Sequence, residues 1–251
     1  MRMDHRYAAV VFDLDGVLID SEPIHLEAAK IVLERHGIFL TPEQAAAQTG
    51  ITIHVFFDKV VKEWGFPGPK PGEDWVAEKR AVFREMAESE LQPVAGADGF
   101  LRALRGSANA GASCCAPTTH PMTVRIGLAS SSPRRYVDWI LKKFDWNSLF
   151  DAICTIEDVL RPKPDPQMYR LIVERLSVEE RKVLVFEDSP AGIEAAVAAG
   201  LDCVGVGTSY SSDSLRSAGA KWFVRDFTDR KVLAALLGDS LASSSKCSRS
   251  R

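Results

Sequence analysis

Tyr7-Ala8-Ala9-Val10-Val11-Phe12-Asp13-Leu14-Asp15-Gly16-Val17 is the stretch that decides how the rest of the chain is read. An unbroken apolar run ends at Phe12 and meets two aspartates and a glycine. Such a run, bounded by a polar turn, predicts a strand buried on both faces. Similar runs recur at residues 123–129, 182–186 and 202–206. Helix-period segments lie between them. Residues 133–144 place Tyr136, Val137, Ile140, Leu141 and Phe144 on one face. Asp165-Pro166 opens a helix to about Leu176, and Ser189-Pro190 opens another that closes near Gly200. Alternating strand and helix predict an α/β fold with a doubly wound parallel sheet.

One long block breaks the alternation. Residues 22–90 carry only helical signals, with proline-led starts at Glu22-Pro23 and Thr41-Pro42. Further helices are expected near 52–64 and 73–88. The block reads as an inserted helical cap domain, leaving a discontinuous core of residues 1–21 and 91–238. A helical layer packed on the sheet is the plainer alternative. Two segments are expected to be disordered. Residues 106–122 are small, polar and aperiodic, and residues 239–251 form a serine-rich basic tail.

Composition narrows the partners. The 251 residues are 46% hydrophobic and 26% charged, with a net charge of -3. A nucleic acid or an anionic membrane would call for a basic surface, so neither is expected as a partner. No apolar run approaches the roughly 18 residues of a membrane span. The first strand begins so early that no signal peptide is expected. Cys114, Cys115, Cys154, Cys203 and Cys247 show neither CxxC spacing nor an even count, which argues against a zinc site or a disulfide framework. A reducing, cytoplasmic setting and a monomer are expected.

Four segments carry candidate chemistry. Asp13 and Asp15 stand at the carboxyl end of the first strand, where open α/β sheets bind ligands. Two carboxylates there need a countercharge, and a divalent cation such as Mg²⁺ takes oxygen ligands. Glu187-Asp188 repeats the pattern before the helix at Ser189-Pro190, although an N-cap carboxylate would look the same. Ser130-Ser131-Ser132 follows the second strand, where hydroxyls and amides suit a phosphate oxygen. Lys163 lies between Pro162 and Pro164, which restrict its backbone. Each segment alone also has a bland reading as a turn, a cap or a surface charge.

Taken in order, DLDGV, the serines, KP and ED before a helix resemble the four motifs of the haloacid-dehalogenase superfamily. DLDGVLIDSEPIHLEA and VFEDSPAGIEAA resemble the subgroup of β-phosphoglucomutase and small sugar-phosphate phosphatases. The resemblance spans residues 7–237. It implies a Rossmann-like core with a mobile cap, and an Mg²⁺-dependent phosphatase acting on a small phosphorylated metabolite. Asp13 matches the nucleophile that becomes an aspartyl-phosphate, and Asp15 the general acid/base. Asp13, the Asp15 carbonyl and Asp188 match the metal ligands, with Glu187 supporting the ion directly or through water. Ser130, with Ser131 beside it, matches the phosphate-binding hydroxyl, and Lys163 the charge-offsetting lysine. His25 matches a position beside the acid/base when the cap closes.

The cap departs from the mutase pattern. Thr49 precedes Gly50, in the stretch expected to face substrate, where the mutase has a lysine. Ile53 stands at the mutase's arginine position, and Ala29 at its tryptophan. A doubly phosphorylated sugar needs cationic donors, so hydrolysis is favoured over phosphoryl transfer between sugar positions. Dehalogenase chemistry needs neither Asp15 nor a metal. Phosphonatase chemistry would need a cap lysine, and Lys59 and Lys62 match no such pattern. A phosphate-binding protein on the same fold stays open, although it has no need of both Asp13 and Asp15.

Overall fold

Strand β1 (Ala9–Phe12) is buried along its whole length because both of its faces are covered. Val11 and Ala9 face one core with Met168, Tyr169, Ile172 and Ile193. Phe12 turns to the other face, where it stacks on Phe186 at 5.3 Å and meets Phe100 and Phe227. An alternating pattern would have left one face wet; the continuous run closes both.

A computed structural model of the chain describes residues 7–46, 53–65, 73–109 and 124–237. Five further strands join β1: β2 (Arg125–Ala129), β3 (Ala152–Cys154), β4 (Val183–Glu187), β5 (Asp202–Val206) and β6 (Trp222–Val224). All pair in parallel, in the order β3-β2-β1-β4-β5-β6. The order reverses beside β1, and in open α/β sheets that switch point is where ligands bind. Helices α5 (Ala97–Asn109), α6 (Arg134–Lys143), α7 (Gln167–Leu176), α8 (Pro190–Ala198), α9 (Ser212–Ser217) and α10 (Arg230–Leu237) complete this unit. The fold is the doubly wound parallel α/β sheet expected from the alternation, with the Rossmann-like form that the family resemblance implied.

Contacts divide the chain into two compact units, parting between Ile19 and Asp20 and between Gln92 and Pro93. The second unit, Asp20–Gln92, is helical among its described residues: α1 (Glu22–Arg35), α2 (Pro42–Ala46), α3 (Ile53–Lys62) and α4 (Glu73–Glu90). Helix α1 buries Ile24, Ala28, Ala29, Val32 and Leu33. Thr41 and Gln44 form reciprocal side-chain to backbone bonds at the start of α2, a capping box. The ends of this unit meet through the Asp20 N–H, which donates to the Gln92 carbonyl at 3.0 Å.

One expectation needs correction. Residues 106–109 are not loop, because α5 continues through them to Asn109. A glycine costs a helix only about 1 kcal/mol, so Gly106 does not end it. The rest of the expected loop, and the tail at 239–251, lie outside the described residues. The edge strands β3 and β6 were not anticipated: three residues each are too few to show a period. Val137, Ile140 and Leu141 are buried on the inner face of α6, and Tyr136, one turn before Ile140, is half-buried. Its hydroxyl turns toward Asp15. Among the described residues no helix is long and apolar enough to cross a membrane.

Candidate active site

The register of the sheet brings the candidate residues to one edge. Phe12 is level with Leu128 on one side and Phe186 on the other. Asp13, Ser130 and Glu187-Asp188 therefore stand at the carboxyl ends of β1, β2 and β4. The Asp13 amide donates to the Phe186 carbonyl at 3.0 Å, and the Ser130 amide to the Cys154 carbonyl at 2.9 Å. After Asp13 the chain turns tightly, with the Gly16 amide on the Ile19 carbonyl at 2.8 Å. Gly16 has φ of 75°, and a Cβ there would lie 2.0 Å from Asp188 Oδ2. Only glycine allows both the left-handed turn and the approach of that carboxylate.

Lys163 reaches the site from the segment between β3 and α7. Gln167 Oε1 accepts from the Leu160 and Arg161 amides at 3.0 and 2.9 Å. Asp165 accepts from Arg161 Nε at 2.5 Å and from the Gln167 amide at 2.9 Å. These bonds close the segment into a rigid bend carrying Pro162-Lys163-Pro164, whose Lys163–Pro164 peptide is cis. The Lys163 ammonium donates to Asp13 Oδ1 at 2.5 Å, Glu187 Oε1 at 2.7 Å and the Ala129 carbonyl at 3.0 Å.

Glu187 is held from all sides. Oε1 also accepts from the Tyr169 hydroxyl at 2.9 Å. Oε2 accepts from the Asp188 and Ser189 amides and from Ser189 Oγ, at 3.0, 3.2 and 3.1 Å. A carboxylate offers about four lone-pair positions, so five donors exhaust it. Its oxygens hold Lys163 and the start of α8. A Cβ at Gly192 would lie 1.8 Å from Glu187 Oε1, so that helix turn sits directly against the carboxylate.

The charges do not balance within the protein. Asp13, Glu187 and Asp188 are buried carboxylates, and the buried Lys163 is the ammonium among them. Burial pushes Asp13 up to about 7; Lys163 pulls it down, and Glu187 adds to the rise. Burial, then Glu187 and Asp13, raise Asp188 well above the carboxylate range, although Ser209 Oγ donates to its Oδ2 at 2.5 Å. Burial opposes the charge on Lys163, yet the adjoining Asp13 and Glu187 outweigh it and hold its ammonium above the ordinary lysine range. Three carboxylates facing one ammonium fit a divalent cation. Among the described residues no three acidic, His or Cys side chains converge as a metal cage. Mg²⁺ needs no such cage, since it commonly uses one or two carboxylates with water and phosphate.

The serines divide differently from expectation. Ser130 is buried and its Oγ accepts from the Ser132 amide at 3.0 Å. Ser131 is exposed. Ser132 instead faces inward, and its Oγ donates to Asp15 Oδ2 at 2.9 Å. Tyr136 OH donates to the other oxygen of Asp15, also at 2.9 Å. Ser132, Tyr136, Tyr169 and Ser209 were missed as site residues. The serine triplet signalled Ser132, but turn geometry decides which hydroxyl points in.

His25 belongs to the helical unit. Its ring stacks on Phe83 at 4.0 Å, and Lys79 Nζ lies 2.7 Å from Nδ1. Burial, and secondarily Lys79, lower its pKa to about 3, so the imidazole is neutral. Thr49 and Gly50 lie outside the described residues.

The model of the haloacid dehalogenase-like hydrolases matches residues 7–200. The chain belongs to this family. It is 32% identical over 224 residues to the validoxylamine A 7'-phosphate phosphatase of Streptomyces hygroscopicus subsp. limoneus, covering 89% of this chain and 95% of that one. It is 31% identical to the phosphorylated carbohydrates phosphatase of Thermotoga maritima, covering 91% and 99%. A solved HAD family hydrolase from Deinococcus radiodurans, with bound phosphate and sodium, superposes with a TM-score of 0.72 at 27% identity, covering 93% and 97%.

Proposed function

We propose that this HAD hydrolase is an Mg²⁺-dependent phosphatase that hydrolyses a sugar or polyol phosphate through an aspartyl-phosphate on Asp13. The observation that carries the reading is the Lys163 ammonium bonded at once to Asp13 and Glu187 at a sheet edge rich in buried carboxylate. Relatives named as phosphatases of phosphorylated carbohydrates support the substrate class.

Asp13, the Asp15 carbonyl and Asp188 would hold the ion, which supplies charge neutralisation for the phosphate when bound. The protein's own groups do the rest. An Asp13 oxygen bonds to phosphorus as the ester P–O bond breaks. The ester oxygen keeps that electron pair and takes a proton from Asp15, leaving as an alcohol. Water then gives its proton to Asp15 as its oxygen bonds to phosphorus. The bond to Asp13 breaks, its carboxylate is restored and inorganic phosphate is released. Lys163 offsets negative charge on Asp13 and the phosphoryl group, and Ser130 binds a phosphate oxygen. The helical unit Asp20–Gln92 serves as the cap that selects the substrate, with His25, Thr49 and Gly50 on that unit.

Purified protein should release phosphate from at least one sugar or polyol phosphate, with Mg²⁺ and not after its chelation. No Mg²⁺-dependent release from a broad panel, with an aryl phosphate equally inert, removes the reading.

A further inference from the structure

Both carboxylate oxygens of Asp15 accept a hydroxyl from the turn and helix that follow β2. Ser132 Oγ takes Oδ2 and Tyr136 OH takes Oδ1, each at 2.9 Å. The two donors are fixed independently of Asp15. The Ser132 amide is tied to Ser130 Oγ at 3.0 Å. Tyr136 sits in the first turn of α6, its amide on the Pro133 carbonyl at 2.9 Å and its ring 5.8 Å from that of Trp139. The neighbouring Val137, Ile140 and Leu141 are buried, whereas Tyr136 is half-buried with its hydroxyl on the carboxylate. Two donors fix a carboxylate's plane as well as its place, which one donor does not.

We propose that Tyr136, together with Ser132, is a positioning residue that orients Asp15 for proton transfer to the departing oxygen of an alkyl phosphate. The proposal rests on the reading of Asp15 as acid/base. Hydroxyls both donate and accept, so the pair holds Asp15 before and after it gives up its proton. In the first step the P–O ester bond breaks, its electron pair stays on the ester oxygen, and the Asp15 proton joins it to give the alcohol. A sugar or polyol alkoxide is a poor leaving group and depends on that proton. A nitrophenolate does not. The orienting pair therefore suits the enzyme to alkyl phosphates.

The test compares kcat/KM for p-nitrophenyl phosphate and phenyl phosphate, similar in size and different in leaving group, with Mg²⁺ present. This ratio reports steps up to departure of the leaving group, so later hydrolysis of the phosphoryl-enzyme does not enter. Tyr136→Phe should lose about tenfold with phenyl phosphate and less than about twofold with p-nitrophenyl phosphate, as partial loss of general acid catalysis requires. Ser132→Ala, acting on the other oxygen, should show the same direction, and Asp15→Asn a steeper form of it. An equal loss on both substrates in Tyr136→Phe and Ser132→Ala makes them merely structural and overturns the proposal, as does no loss or a gain. If Asp15→Asn is itself insensitive to the leaving group, the acid/base reading fails, and the proposal with it. If Asp15→Asn is sensitive and the two hydroxyl variants are not, only the proposal falls.

Discussion

The ammonium of Lys163 lies 2.7 Å from Glu187 Oε1, although one residue comes from a connection and the other from a strand of the sheet. Glu187 ends β4, and Lys163 comes from the bend that precedes α7. The pair is almost wholly buried, with side-chain exposures of 5% and 1%. A buried pair is sustained only when its remaining hydrogen-bonding capacity is met. Here Tyr169, Asp188 and Ser189 meet that of Glu187.

Glu187→Gln should therefore destabilise the protein. One amide oxygen can still accept from Lys163 and Tyr169, but the NH₂ group would face the Asp188 and Ser189 amides. Buried donors left without an acceptor cost about 1–3 kcal/mol. Urea unfolding should show an earlier midpoint, accompanied by loss of activity. An unchanged midpoint would contradict the account of Glu187 as a fully committed acceptor.

Gly16→Ala should weaken Mg²⁺ activation. The new Cβ would meet Asp188 Oδ2 at 2.0 Å, so the carboxylate must move, and φ of 75° disfavours alanine. Gly37→Ala is the control. Its φ of 77° carries the same backbone cost, about 1 kcal/mol, with nothing among the described residues within 4 Å to displace. The Mg²⁺ concentration for half-maximal activity should rise in the first variant alone. Equal values in both would show that Asp188 has no part in holding the ion.

Asp158 gives a pH-dependent test away from the site. Its hydrogen bond from Arg175, at 2.6 Å, is the main cause of a pKa lowered from 3.8 to about 2, and the Thr155 backbone and side chain add to it. A depressed carboxyl stabilises the fold above its unfolded pKa, and this is lost as pH falls through the folded value. Asp158→Asn should cost about 1 kcal/mol at pH 7, in line with a lost cap. The difference in melting temperature should narrow as pH falls from about 4 toward 2. A gap that stays constant to the acid limit would contradict the assignment.

The fold was legible because its signals are local. The apolar run before Asp13 reflects burial on both faces, and prolines with their preceding caps mark the starts of α1, α2 and α8. Strand β5 was read to its residue limits. The site was legible only as strand ends. That Asp13, Ser130, Lys163 and Asp188 share one edge follows from parallel register. The roles of Ser132 and Tyr136 depend on which way a turn and a helix face point. The saturation of Glu187 was not legible because two of its donors, Lys163 and Tyr169, come from 24 and 18 residues away. Ser209 comes from the loop after β5, which carries no motif. The periodic reading placed Tyr136 on the inner side of α6 but could not show that its hydroxyl meets Asp15.

The central claim is that Asp13 takes the phosphoryl group, and an acyl phosphate is reduced by borohydride where a free carboxylate is not. Enzyme acid-quenched during Mg²⁺-dependent turnover, treated with borohydride and digested should yield homoserine at residue 13 by mass spectrometry. Asp13→Asn should yield none and have no turnover while keeping the wild-type melting temperature within about 2 °C. Reduction at another residue, or near-wild-type turnover by Asp13→Asn that remains asparagine, would contradict it.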